Sequence, residues 1–132
     1  MSFEVDVSRW VEKVRGNIDK VLRKTVVLAA QGIVMRSPVD TGRFRGNWNF
    51  SIGAADTGTS TRVDPAGAAT IAKIQAGVTR AKAGGIVYLA NGLPYGYRLE
   101  FEGWSKQAPN GMVRVTLAGL PVAVADYVSR LR

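Results

Sequence analysis

Ser37-Pro38-Val39-Asp40-Thr41-Gly42-Arg43-Phe44-Arg45-Gly46-Asn47-Trp48-Asn49-Phe50-Ser51-Ile52 is where the chain changes period. From Asn47 onward polar and apolar side chains alternate strictly, the pattern of a half-buried strand with Trp48, Phe50 and Ile52 facing inward. The Ser-Pro-Val-Asp-Thr-Gly stretch before it is turn chemistry: the residue ahead of proline avoids the helical region, and Asp and Gly favour reversals. Upstream the period is helical. Val7, Trp10, Val14, Ile18, Val21, Thr25, Leu28 and Ala29 recur at steps of three and four and fill an arc of about 120°. Arg9, Lys13, Lys20 and Lys24 fall on the other side. This predicts one helix over roughly 7–35, capped by Asp6 or Ser8 and stopped at Ser37-Pro38, with Gly16 and Gly32 weakening it slightly.

Downstream of the strand, residues 53–67 are rich in Gly, Thr, Ser and Asp and read as an exposed loop. An Ala-rich segment over about 67–82 has Ile71, Ile74 and Val78 on one helical face, with Gly84-Gly85 ending it. Ile86-Val87-Tyr88-Leu89 is a short strand by composition. Residues 91–111 are dense in Gly, Pro and aromatics, with room for a helical turn near 95–101. In the last segment Val113, Leu117, Leu120, Val124, Val128 and Leu131 keep the helical step, with Pro121 expected to kink or break the axis. A strand over 112–117 competes there, because Val113, Val115 and Leu117 also alternate. The sum is a single α+β domain over residues 1–132: a long N-terminal helix, a small mainly antiparallel sheet, a middle helix and a C-terminal helix.

The bulk composition narrows the function classes. At 132 residues, 46% hydrophobic and 21% charged, the chain supports one core and is not a disordered tail. No apolar run is long enough for a membrane span, and the opening Met-Ser-Phe-Glu-Val-Asp has no apolar signal core, so a cytoplasmic site of synthesis is expected. There is no cysteine and no histidine. That removes disulfides, thiolate metal sites, the commonest zinc ligand and the usual general base at neutral pH. No phosphate-cradling glycine loop is present.

Asp40-Thr41-Gly42 and Asp56-Thr57-Gly58 resemble the motif of aspartic proteases. Those enzymes set two buried carboxylates across a symmetric lobe interface. Here the two stand 16 residues apart, without an apolar strand leading into either, so both read as turns. Glu100 and Glu102 have no recognisable acid–base partner and read as a solvated or salt-bridged face. No catalytic, cofactor-binding or metal-ligating residue is therefore expected, and the chain is not expected to be an enzyme.

The net charge of +8 is spread evenly, with nine cations and five acids before Gly46 and the same numbers after it. A diffuse positive field of this kind implies weak, sequence-independent DNA binding at most. A small basic DNA-binding protein remains the alternative function, motivated by this charge and by the Arg9, Lys13, Lys20, Lys24 stripe, though no known DNA-reading motif is present.

Two stretches are more specific. Pro38-Val39-Asp40-Thr41-Gly42-Arg43-Phe44-Arg45-Gly46-Asn47-Trp48 is one; Asn91, Leu93-Pro94-Tyr95, Leu99-Glu100, Gly103 and Ser105-Lys106-Gln107-Ala108-Pro109 to Gly111-Met112-Val113 make up the other. In this order, over nearly the whole chain, they resemble the head–tail joining proteins of long-tailed bacteriophages, also termed neck or tail-completion proteins. Gly96 departs from that pattern, which has alanine there, and Glu102 is extra. The resemblance implies a small α+β subunit in a homo-oligomeric ring, a hexamer, at the head-proximal end of the tail. Such a virion structural protein stops tail growth and joins the tail to the head. The partners implied are further copies of itself, a tail terminator or tail tube protein, and the head-closure or connector protein, with DNA in the bore touched only non-specifically and no membrane. Its place would be the virion neck, after synthesis in the host cytoplasm. Tyr95, Tyr97, Phe101 and Trp104, on irregular glycine-rich chain, are the expected interaction residues, together with Arg43 and Arg45 beside the turn. The competing reading has the aromatics covering the end of the core and the arginines solvated.

Overall fold

A computed structural model describes residues 2–82 and 84–131 except for 7–17, with β1 described by its backbone only. The elements are β1 (Ser2–Asp6), α1 (Ile18–Arg36), α2 (Arg43–Gly46), β2 (Trp48–Ile52), α3 (Ala68–Val78), β3 (Ile86–Asn91), α4 (Gly96–Phe101) and α5 (Val113–Ser129). The three strands form one antiparallel sheet in the order β1-β3-β2. The fold is the expected α+β arrangement of a long N-terminal helix, a middle helix and a C-terminal helix around a small antiparallel sheet. No helix among the described residues is long and apolar enough to cross a membrane.

α1 is the spine. It buries Val21, Leu22, Thr25, Val26, Ala29, Ala30, Ile33 and Val34, a wider band than a single amphipathic stripe, because it packs against both α3 and α5. The predicted start of this helix, with Val7, Trp10, Val14 and Gly16, lies outside the described residues. Asp6, offered as a cap for that helix, is the last residue of β1, whose five residues alternate polar and apolar and pair with β3 some 80 residues along the chain; Ser8, the other cap candidate, lies outside the described residues. Gly32 is explained by the crossing of α1 and α5: a Cβ there would stand 2.6 Å from Thr116 Cγ2.

Trp48, Phe50 and Ile52 share one face of β2 opposite Asn91, Leu89 and Val87 of β3. Trp48 is fully buried and Phe50 lies against α3, but Ile52 is 45% exposed, against expectation. It ends the strand at the open rim of the sheet, where only its own turn follows. The middle helix is shorter than predicted. It stops at Val78, and Arg80 and Ala81 donate to Gly77 and Val78 carbonyls in a tight turn that buries Ala81 well before the glycine pair. β3 runs two residues beyond the predicted Leu89, to Asn91. The last segment is helix, not strand, and passes through Pro121 unbroken. Its buried stripe is Val113, Thr116, Leu120 and Val124, so Leu117 turns outward, contrary to the predicted face. In the predicted 53–67 loop, Asp64 is an exception to exposure: it is buried, accepting from the Gly67 N–H and from both the N–H and hydroxyl of Thr70 at the start of α3.

The Gly32 contact sets two effects against each other. Alanine would improve helix propensity by about 1 kcal/mol, whereas overpacking a close crossing costs about 1–3 kcal/mol. Gly32→Ala is therefore expected to lower stability by about 1 kcal/mol in urea unfolding, and Thr116→Ser, which removes the clashing methyl, to restore part of it. A stabilised single variant would mean that the helices do not cross so closely.

Candidate functional site

Both motif-bearing stretches converge on one cleft. Its volume is about 620 Å³, and its walls are the Pro38–Phe44 turn on one side and Tyr95, Leu99 and Trp104–Gln107 on the other. The turn is built by side chains that replace a regular ladder. Trp48 donates its indole N–H to Ser37 Oγ at 2.8 Å, and that hydroxyl donates to the Ile33 carbonyl at 2.7 Å. Arg45 donates to the carbonyls of Met35 (3.0 Å), Ser37 (2.8 Å) and Pro65 (2.9 Å), closing the C-terminal end of α1 where carbonyls lack helical partners. Asn47 clasps Ser60, donating to its carbonyl at 3.1 Å and accepting from its N–H at 2.8 Å. Phe44 meets Trp48 edge-on at 5.8 Å and Tyr95 at 5.5 Å.

The two walls are tied by Gln107. Its amide donates to the Val39 carbonyl and accepts from the Val39 N–H, each at 2.9 Å, as a strand partner would. Asn91 donates to the Phe44 carbonyl at 2.8 Å from the buried end of β3.

Glu100 organises the far wall. It is 1% exposed, although the sequence reads it as a solvated or salt-bridged face; the salt bridge is there and the solvent is not. Its Oε1 accepts from the N–H groups of Met112 and Val113, both at 2.8 Å. Its Oε2 accepts from the Arg114 N–H at 3.2 Å and from Arg114 Nε at 3.0 Å, and the Arg114 guanidinium also donates to the Glu100 carbonyl. One carboxylate thus caps α5, where unpaired N–H groups and the helix dipole both favour negative charge. Gly111 makes room for it: φ is +87°, and a Cβ would lie on the carboxylate. Burial pushes the Glu100 carboxyl up, but the N–H groups of Val113, Met112 and Arg114 and the Arg114 side chain outweigh it and hold the group below its ordinary value of 4.5.

Gly96, Leu99 and Glu100 turn in, and three aromatic side chains on and just after α4 turn out. Tyr97 is 62% exposed, Phe101 50% and Trp104 60%. Tyr97 and Phe101 pack against each other at 4.9 Å, Arg114 lies over the Phe101 ring at 5.1 Å, and Arg98 over the Trp104 ring at 5.3 Å. Of the six expected interaction residues, Tyr97, Phe101 and Trp104 form the exposed set, while Tyr95 is half-buried against Phe44. Arg43 lines the cleft and donates through Nε to the Ser60 carbonyl at 3.0 Å. Arg45 has its donors turned inward onto carbonyls. Asp40 is an exposed turn residue, and Asp56 accepts from the Gly58 N–H at 2.9 Å, so neither Asp-Thr-Gly is a buried carboxylate site. Among the described residues no group of acidic or other ligating side chains could hold a metal ion. Sequence reasoning missed Glu100, Gln107 and Asp64; only Asp64, three residues ahead of Gly67 and the start of a helix, had a local signal.

No protein-family model, no curated protein and no solved structure matches this chain.

Glu100→Gln keeps the shape but presents an amide N–H₂ toward donors. It is expected to lose about 2–3 kcal/mol, the scale of charge-assisted hydrogen bonds. Because the folded-state value is depressed, the carboxylate's contribution is complete above about pH 4.5 and is lost as pH falls through the folded value. Urea midpoints measured from neutral to about pH 3 should fall more steeply for the wild type than for Glu100→Gln. Parallel curves would show that Glu100 is not ionised at this site.

Proposed function

We propose that this chain is a structural joining subunit of a phage particle, acting at the neck by docking rather than by chemistry. The observation that carries the proposal is the outward set of Tyr97 and Phe101, on a short helix that a buried carboxylate fixes to the fold, and Trp104 just beyond its end. Large aromatics on a rigid base are the side chains that dominate interface energies, because little conformational entropy is lost when they are covered. The resemblance of the two converging stretches to head–tail joining proteins supports the same role.

A ring requires head-to-tail contacts, in which one surface meets a different one on the next copy. The aromatic set supplies one such surface. A second, unlike surface is available on α5, where Val115 and Val122 stand seven residues apart on one outward face. On this proposal the ring, a hexamer, meets the tail terminator or tail tube on one side and the head-closure connector on the other.

Trp104→Ala removes a side chain that is mostly in solvent, so its effect on folding should stay within about 1 kcal/mol. Helix content and urea midpoint are expected to be near wild type, while tails assembled with the variant fail to join heads. Loss of folding in the isolated variant would make Trp104 a core residue. Normal particle yield would exclude the aromatic set from the joining surface.

A further inference from the structure

β2 lies at an edge of the sheet, and part of that edge is open. The Gly53 N–H donates to the Ile86 carbonyl at 2.9 Å, in register with the β2–β3 pairing. Bonded and non-bonded pairs alternate along an antiparallel ladder. Asn49 and Ser51 therefore bond to β3, while Phe50 and Ile52 turn their N–H and C=O groups away from it. Among the described residues no other backbone group bonds to those outward groups. Trp48, on the same edge, is fully buried, whereas Ile52 is 45% exposed, so the open stretch runs from Phe50 to the turn at Gly53.

A depression flanks this edge on each face of the sheet. On the α3 side one of about 300 Å³ has Trp48, Phe50 and Ile74 as apolar lining, with the exposed Lys73 and Arg80 beside them. On the opposite face one of about 380 Å³ is polar, with Asn49, Ser60 and Arg62. Lys73 lines both, so the two meet around the edge. Asp56 is the carboxylate that lines the second, and its Oδ1 already accepts from the Gly58 N–H. The ion pairs among the described residues are Arg114–Glu100 and Arg130–Asp126, so Arg62, Lys73 and Arg80 have no carboxylate partner there.

An unpaired strand edge is a template for extended chain, and pockets on its two faces select alternate side chains. We propose that β2 accepts an extended segment of a partner protein as a further strand, with side chains that alternate apolar and acidic. The apolar ones lie against Phe50 and Ile52 on the α3 side, and the acidic ones meet Arg62 and Lys73 on the other. This pairing covers Ile52, an apolar side chain that its own chain leaves in solvent. A second copy of this chain carries the same net charge of +8, so electrostatic complementarity favours an acidic partner over self-association. The proposal does not rest on the joining role, since the isolated chain is enough to test it.

The test is amide hydrogen exchange, read residue by residue by NMR on the full-length chain. The probe is the blocked peptide Val-Asp-Val-Glu-Val-Asp-Val. In the free chain the Asn49 and Ser51 amides are expected to be protected and those of Phe50 and Ile52 to exchange fast. Saturating peptide should slow the latter two by about tenfold or more. By anisotropy of the labelled peptide, Arg62→Gln and Lys73→Gln should each weaken binding several-fold, and Lys106→Gln, on the aromatic cleft, should not. Ile52→Pro deletes one outward N–H and no bond to β3, so it should fold and bind up to about tenfold more weakly. Lys73 is exposed, so its variant decides the matter if the proline variant does not fold. Unchanged exchange at Phe50 and Ile52 with the peptide in excess would overturn the proposal, as would equal binding of the peptide with lysine in place of its acids. Protection of those amides in the free chain that is lost on dilution would give the edge to a second copy and overturn it too.

Discussion

The Glu100 carboxylate on the N-terminal turn of α5 is the contact on which the arrangement of the second half of the molecule depends. The segment from Gly92 to Met112 has only the six-residue α4 as regular structure, too short to be stable alone. What fixes it is a charge taken out of water and met by three N–H groups and a guanidinium. Such a group stabilises only while every partner is in place, and removing one leaves a buried charge uncompensated. The constraint propagates. Gly96, Leu99 and Glu100 make the inward arc of α4, which leaves Tyr97 and Phe101 on the outward one, and Arg114 is brought over Phe101 by its pairing with Glu100.

The residues that make the two stretches distinctive are mostly architectural. Arg45, Asn47, Trp48, Asn91 and Gln107 each bond to backbone or buried atoms and hold irregular chain against irregular chain. They are a way of building a cleft where no ladder is available, using amide and guanidinium groups that imitate backbone partners. The exposed aromatics lie on the frame these residues make. Resemblance at the frame speaks to shape, whereas the docking role proposed above has to come from what the frame displays.

The α+β class and the approximate places of α1, β2, α3, β3, α4 and α5 were legible because each has its own apolar period or composition. What escaped was long-range. Ser2–Asp6 alternates polar and apolar as β2 does, but so short a run is decided by its partner, and β3 lies some 80 residues along the chain. Ile52 keeps the alternation of Trp48 and Phe50, yet stands past the cover that α3 provides, so the pattern assigned its face correctly and its burial wrongly. Leu117 fits a helical stripe on paper, but the close approach of α1 at Gly32 selects Thr116 as the contact and rotates the face by one residue. At the site, the exposure of Tyr97, Phe101 and Trp104 was visible as aromatics on broken chain. The burial of Glu100 was not, since its partners begin twelve residues later and no spacing rule connects them.

Residues 53–63 have neither helix nor ladder, yet they are held: Asn47 and Arg43 grip Ser60, and Asn49 donates to the carbonyls of Asp56 at 3.3 Å and Gly58 at 2.8 Å. Most of the holding groups belong to the scaffold, and most of what they hold is backbone. The loop's course is consequently set largely from outside, by Arg43, Asn47 and Asn49, with Arg62 of the loop donating back to the Gly46 carbonyl. Such a segment can change its surface chemistry nearly residue by residue without renegotiating the fold, which makes it the part of this molecule freest to be refitted to a different neighbour.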